Sequence, residues 1–174
     1  ITSADEARNV VDMVRCRPMG SKALDAGNMD GLFCQVPLAD YAQHCNTEKF
    51  VILQIESPEA LEVVEEIAAV PGFDMLLFGA GDFSHRIGKL GQATCPEVVA
   101  ARKRVHAAAL KHGKYVAVAS LFGQKDQLIE EGTRVFTLGA DVIELGNAFH
   151  KLVKDFGGGA AAPSSDSVYA SPKS

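Results

Sequence analysis

The chain has 174 residues, 47% of them hydrophobic, with 22 Asp and Glu against 17 Lys and Arg and a formal net charge of -5. That length suits roughly one globular domain, and without a block of Lys or Arg it gives no electrostatic reason for a nucleic-acid or membrane partner, which leaves small molecules. Cys16, Cys34, Cys45 and Cys95 show none of the short paired spacings of zinc or redox sites, no apolar run approaches the ~20 residues of a membrane span, and no leader pattern opens the sequence, so a reduced, cytoplasmic chain is expected.

Ser3 is placed to cap a helix over Ala4–Val14, because Glu6 stands three residues on and Val10, Val11 and Val14 repeat at helical spacing. Arg17-Pro18-Met19-Gly20 stops it, and the glycine-rich stretch to about Pro37 reads as a long connection laid over the rim of the fold. From Phe50 the pattern becomes regular. Strand Phe50–Ile55, helix Pro58–Val70, strand Asp74–Phe78, helix Pro96–His112, strand Lys114–Ala119, helix Gln124–Glu131, strand Arg134–Leu138 and helix Val142–Phe156 follow in turn, the first two strands reading as fully buried. Pro58 and Pro96 suit first helical turns, and Gly72, Gly113 and Gly132 suit helix ends.

Strands alternating with helices in this way require right-handed crossovers and a parallel sheet. Four such units are half of a (β/α)8 barrel and cannot close on their own. Two solutions remain: residues 1–156 are strands 5–8 of a TIM barrel with the preceding helix, or the chain is a small open α/β sheet. The opening helix, with no strand before it, favours the half-barrel. Residues 157–174 read as a flexible tail.

The informative residues lie at two strand ends. Gln54-Ile55-Glu56 closes the first strand and Gly79-Ala80-Gly81-Asp82 follows the second, so Glu56 and Asp82 emerge at one rim, 26 positions apart. Rims of this kind carry the chemistry of α/β proteins, and two carboxylates there suit a hard divalent cation with open positions for an oxygen-rich substrate. Each carboxylate also has a plain alternative as a helix cap, Glu56 before Pro58 and Asp82 on a short helix through Arg86. The backbone N–H groups of Gly81 and Asp82 can cradle a carboxylate or phosphate. Gln54, two residues from Glu56, shares its face. His85 reads as a solvated loop residue, His106 and His112 as surface residues on an alanine-rich helix, and Asp141 as a helix cap.

Gln-Ile-Glu-Ser-Pro-Glu-Ala-Leu at 54–61, Met-Leu-Leu-Phe-Gly-Ala-Gly-Asp-Phe-Ser at 75–84 and Leu-Gly-Ala-Asp-Val at 138–142 resemble the HpcH/HpaI family of class II pyruvate-dependent aldolases. Ser-Ala-Asp-Glu-Ala-Arg, Arg-Pro-x-Gly and Ala-Gly-Asn-Met-Asp-Gly, before the first strand, are similar to the segment after that family's fourth strand, so the resemblance runs from Ile1 to about Phe156. It implies a (β/α)8 barrel, commonly a homo-hexamer, that cleaves or forms 4-hydroxy-2-oxo acids, giving pyruvate and an aldehyde through an enolate held on Mg2+ or another divalent ion. Carried over, Glu56 and Asp82 become the metal ligands, the Gly81 and Asp82 N–H groups the seat of the pyruvyl carboxylate, and Gln54 a substrate contact. Mn2+ and Co2+ suit such ligands as well as Mg2+. Ala80 stands where relatives often have proline. The family's catalytic histidine and substrate-binding arginine, on its first three strands, have no counterpart here. Two further readings stay open, a non-catalytic half-barrel binding metal and oxo acid, and an acyl-CoA lyase of the citrate-lyase β type, which the acidic charge balance disfavours.

Overall fold

The computed structural model describes residues 1–119 and 124–157, so the expected tail lies outside the described residues apart from its first residue, Gly157. Helix α1 (Ala4–Val14) starts as its pattern dictates: the Ser3 hydroxyl accepts from the Glu6 N–H at 3.1 Å, and Ala4, Ala7 and Val11 are buried. A 3-10 turn (Met29–Gly31) and helix α2 (Leu38–Thr47) follow. Helix α2 has no counterpart among the expected elements. Its signal is the buried pair Tyr41 and Cys45, one turn apart, too short a period to stand out from a loop.

Four strands then alternate with helices: β1 (Ile52–Ile55), α3 (Pro58–Glu62), α4 (Val64–Ala68), β2 (Met75–Phe78), α5 (Ala80–Arg86), α6 (Pro96–Lys111), β3 (Tyr115–Ala119), α7 (Lys125–Glu130), β4 (Thr133–Thr137) and α8 (Asp141–Asp155). The helix expected over Pro58–Val70 is two short helices meeting at Val63, where adjacent β-branched Val63 and Val64 weaken helix propensity. The sheet runs β1-β2-β3-β4, every pair parallel. Sequential order without reversal is that of a barrel segment, whereas a doubly wound sheet reverses at a switch point.

Alternation along the strands gives the sheet two different faces. Leu53, Ile55, Leu76, Phe78 and Val116 pack with Ala7 and Val11 of α1, Val64 and Ile67 of α4, and Val98 and Val105 of α6 in one continuous core. Ile52 and Gln54 occupy the opposite face of β1 and are exposed. The expectation of a fully buried first strand is therefore corrected: β1 is an edge strand, and its second face belongs to the open concave side.

Arg15 ties the amino-terminal ends of these elements together. It is 2% exposed and donates to Lys49 O at 2.7 Å, Gly72 O at 2.8 Å, Cys45 O at 3.1 Å and Asp74 Oδ2 at 2.6 Å, while Asp74 also accepts from the Val51 N–H at 2.7 Å. His106 is a second correction. Expected at the surface, it is 2% exposed, because α6 packs on both β2 and β3 and so buries a wide face that includes Arg102 and His106. Neither ring nitrogen has a hydrogen-bond partner, and burial, with the Arg102 charge, pushes its pKa down to about 4. His112 is half-buried, its Nε2 lying 3.0 Å from Glu65 Oε2. Among the described residues no helix is long and apolar enough to cross a membrane.

Candidate active site at the carboxyl rim of the sheet

Gln54 and Glu56 leave β1 on the same side, and the Gln54 side-chain amide donates to Glu56 Oε2. The capping alternative for Glu56 fails because its neighbour does that work: the Ser57 hydroxyl accepts from the Ala60 N–H at 3.2 Å, and Ser57 is buried. Glu56, half-buried, keeps its carboxylate for the rim.

At the next strand end, Gly79 caps α5 without a side chain. An added Cβ at Gly79 would lie 2.7 Å from Glu56 Cβ, 2.9 Å from Gln54 Nε2 and 2.9 Å from Glu56 Oε2. The turn after β2 thus touches the very side chains that close β1. Phe83 locks α5 in place, its ring 5.2 Å from that of Phe78, and the buried Ser84 hydroxyl donates to Gly81 O at 2.7 Å. The first bond of α5 from a backbone donor runs from Phe83 N–H to Gly79 O. The N–H groups of Ala80, Gly81 and Asp82 are consequently unused within the helix and face its open end.

Asp82 is not a cap either. It occupies the third position of α5, is exposed, and makes no hydrogen bond or ion pair among the described residues. Gln54, Gly79, Gly81 and Asp82 line one cavity of about 350 Å3, whose far wall includes Arg102 of α6 and Thr137 of β4. Those two wall residues had no sequence signal, since nothing in a local pattern places a residue of α6 or β4 beside the end of β1. Arg102 is already engaged, with Gln124 Oε1 at 3.1 Å and Glu131 Oε2 at 3.1 Å.

The remaining titratable candidates separate from this rim. His85 is on α5, not in a loop, and is exposed. Lys89 is paired with Glu97, whose hydrogen bond raises the lysine pKa and whose own carboxyl falls to about 2. Lys114 stands at the opposite end of the sheet, donating to Phe73 O at 2.8 Å. Asp141 opens α8, its Oδ1 accepting from the Val142 N–H at 2.7 Å.

Glu56 and Asp82 are the residues here that could hold a divalent cation: Glu56 follows β1 and is steadied by the Gln54 amide, and Asp82 lies in the first turn of α5 after β2; no group of three or more His, Cys, Asp or Glu able to hold a metal is gathered among the described residues. Such a pair would leave most coordination positions to water and substrate oxygens.

Comparison with known proteins covers 90% of the chain. A 5-keto-4-deoxy-D-glucarate aldolase of Klebsiella pneumoniae subsp. pneumoniae is 31% identical over 157 residues, which are 90% of this chain and 60% of that protein. The crystal structure of an HpcH/HpaI aldolase from Desulfitobacterium hafniense DCB-2 superposes with a TM-score of 0.79 at 28% identity, covering 90% of this chain and 61% of that one. An HpcH/HpaI aldolase/citrate lyase family protein from Burkholderia cenocepacia J2315 gives 0.76 at 31% identity, covering 90% and 62%. The chain thus spans about 60% of the length of the relatives it matches, and its four strand–helix units form part of a TIM-type barrel. The HpcH/HpaI aldolase/citrate lyase family model matches residues 1–148, and the chain belongs to that family.

Proposed function

We propose that the complete protein is a carbon–carbon lyase that cleaves and forms 4-hydroxy-2-oxo acids, with pyruvate and an aldehyde as the other side of the reaction. Its cofactor is a divalent cation held by Glu56 and Asp82, for which Mg2+, Mn2+ and Co2+ are all suitable. What supports the reading is that Glu56 follows β1 and Asp82 lies in the first turn of α5 after the neighbouring strand, with the Gln54 amide on Glu56 and the Gly79 backbone close to both Gln54 and Glu56, while Gln54, Gly81 and Asp82, though not Glu56, line the cavity at that rim. The names of its relatives support it: a 5-keto-4-deoxy hexarate, numbered from its other carboxylate, is a 4-hydroxy-2-oxo acid.

In this reading the N–H groups of Gly81 and Asp82 receive the carboxylate of the oxo acid. The Gln54 amide orients Glu56 and reaches the substrate oxygens. A bound cation would supply Lewis acidity at the 2-keto oxygen, where negative charge develops on cleavage. The proton partner belongs to the part of the relatives that this chain does not span, since the only histidine beside the rim among the described residues, His85, is exposed and hydrogen-bonded to no group there. The family fold commonly assembles as a homo-hexamer, and we extend that to the complete protein.

Pyruvate release from a 4-hydroxy-2-oxo acid, coupled to lactate dehydrogenase, tests the proposal on the complete protein. Turnover is expected to vanish with EDTA, return with Mg2+ or Mn2+, and resist borohydride in the presence of pyruvate. The last follows because neither Lys89 nor Lys114 reaches the rim as a Schiff-base nucleophile. Inactivation by borohydride, or full activity in EDTA, would overturn the mechanism.

A further inference from the structure

The cavity at the rim has a charged wall that the cation site does not use. Helix α6 packs on β2 and β3, and on its buried face Arg102 sits between Val98 and Val105, 3% exposed. Among the described residues that line the cavity, Arg102 is the only cation and Asp82 the only anion. A guanidinium carries five N–H donors in a fixed fork. Arg102 directs one to Gln124 Oε1 and one to Glu131 Oε2, each at 3.1 Å, and its buried Nε has no partner among the described residues. Buried donors without acceptors are unfavourable, so this wall is short of an acceptor. Its charge is also incompletely balanced. Glu131 lies 3.7 Å from Lys103 Nζ as well and accepts from the Gln127 amide at 2.8 Å, so two cations face one carboxylate. His106, one turn along α6, adds no charge at neutral pH, because burial and the Arg102 charge push its pKa down to about 4.

We propose that Arg102 is a specificity-determining residue of this cavity: it receives a second carboxylate, at the end of the substrate remote from the 2-oxo group. The inference rests on the reading of Glu56 and Asp82 as the cation site, with the first carboxylate seated on the Gly81 and Asp82 N–H groups. A substrate held there at one end lies in the same cavity as Arg102. The cavity, about 350 Å3, is at the small end of ligand pockets, so a short acid fills it and its tail has the guanidinium wall as a neighbour.

The chemistry of the wall selects the tail. An apolar tail would shut water out and leave the remaining guanidinium donors unpaired, whereas a carboxylate supplies two acceptor oxygens and balances the excess positive charge. A site with buried polar groups discriminates strongly against an analogue that lacks their partner. Gln124 is the neutral partner of Arg102, and its amide yields more readily to an incoming carboxylate than Glu131 does. Glu131 on one side and the α6 packing on the other keep the guanidinium in place, so little side-chain freedom is lost when the acid arrives.

The test uses the complete, Mn2+-loaded protein and two acids of equal length, 2-oxoglutarate and 2-oxopentanoate, which differ in the far carboxylate. Calorimetric titration is expected to give binding of 2-oxoglutarate about ten-fold tighter or more. In Arg102→Met that difference should disappear. Arg102→Lys keeps the charge but not the fork and should retain part of it. Glu131→Gln removes the balancing carboxylate and should widen it, a direction that a loss of folding does not produce. Equal affinity of the parent for the two acids would overturn the proposal. So would an undiminished ratio in Arg102→Met, including one in which both acids weaken equally, since Arg102 would then be a clamp on α7 and nothing more. A narrowed ratio in Glu131→Gln would count against it in the same way. If the Mn2+-loaded parent binds neither acid, the cation-site reading itself falls, and this inference with it.

Discussion

Gly79→Ala is the sharpest single perturbation of the rim. The backbone there (φ -85°, ψ 80°) is open to any residue, so the substitution carries no left-handed strain and by itself stiffens the unfolded chain, a gain of ~0.4–1 kcal/mol. Against this, the new methyl would lie 2.7 Å from Glu56 Cβ, a main-chain-anchored atom, and 2.9 Å from both Gln54 Nε2 and Glu56 Oε2. Carbon contacts settle at ~3.5–4.0 Å, so the strand ends must part by about 1 Å. Overpacking of that kind costs ~1–3 kcal/mol, which leaves a net loss of roughly 1–2 kcal/mol. The displaced atoms are those of Glu56, so cation affinity should fall with stability. Gly81→Ala is the matched control: nothing lies within 4 Å of its added methyl, and alanine inside a helix gains ~0.5–1 kcal/mol over glycine. Urea unfolding midpoints with calorimetric titration of Mn2+ read both quantities. Parental midpoint and parental Mn2+ affinity in Gly79→Ala would refute the close approach on which the site depends.

Glu56→Gln and Asp82→Asn should each abolish Mn2+ binding in the same titration, since each removes one of two protein carboxylates. Arg15→Ala should lower unfolding free energy by ~3–5 kcal/mol, because a buried charge network linking α1, α2, β1 and β2 is broken and Asp74 is left without its ion partner; a loss under about 1 kcal/mol in urea unfolding would sink that account. His106 gives a pH signature: its folded-state pKa of about 4 lies below the unfolded 6.5, so only the unfolded chain takes up the proton between them. Stability should therefore be full above pH 6.5 and fall as pH drops towards 4, by at most roughly 3 kcal/mol, and His106→Gln should flatten that dependence. Finally, α8 buries none of its residues and exposes Val142, Leu145 and Phe149, so light scattering should show the chain self-associating, and Leu145→Glu with Phe149→Glu should reduce it.

Local chemistry determined a large part of this protein. Ser3 and Glu6 set the start of α1, Ser57 with Pro58 set α3, and the run of strand and helix patterns from Phe50 onward set four parallel strands joined by three crossovers, because caps, proline positions and periodicity act within a few residues. The placement of Gln54, Glu56 and Asp82 at one end of the sheet was legible for the same reason, since strand ends mark a rim. What neighbours through space decide was not legible. The sequence leaves Glu56 and Asp82 each a plain alternative as a helix cap, and only the placement of Ser57 and the third position of Asp82 in α5, after the Gly79 cap, remove it. The docking of helix α2 against the end of α1 depends on Arg15 and Asn46 reaching about 30 residues along the chain. His106 is buried because α6 packs on both β2 and β3, not because of any residue beside it in sequence. Period and capping are local quantities; burial and contact across elements are set by how the sheet and its helices close on one another.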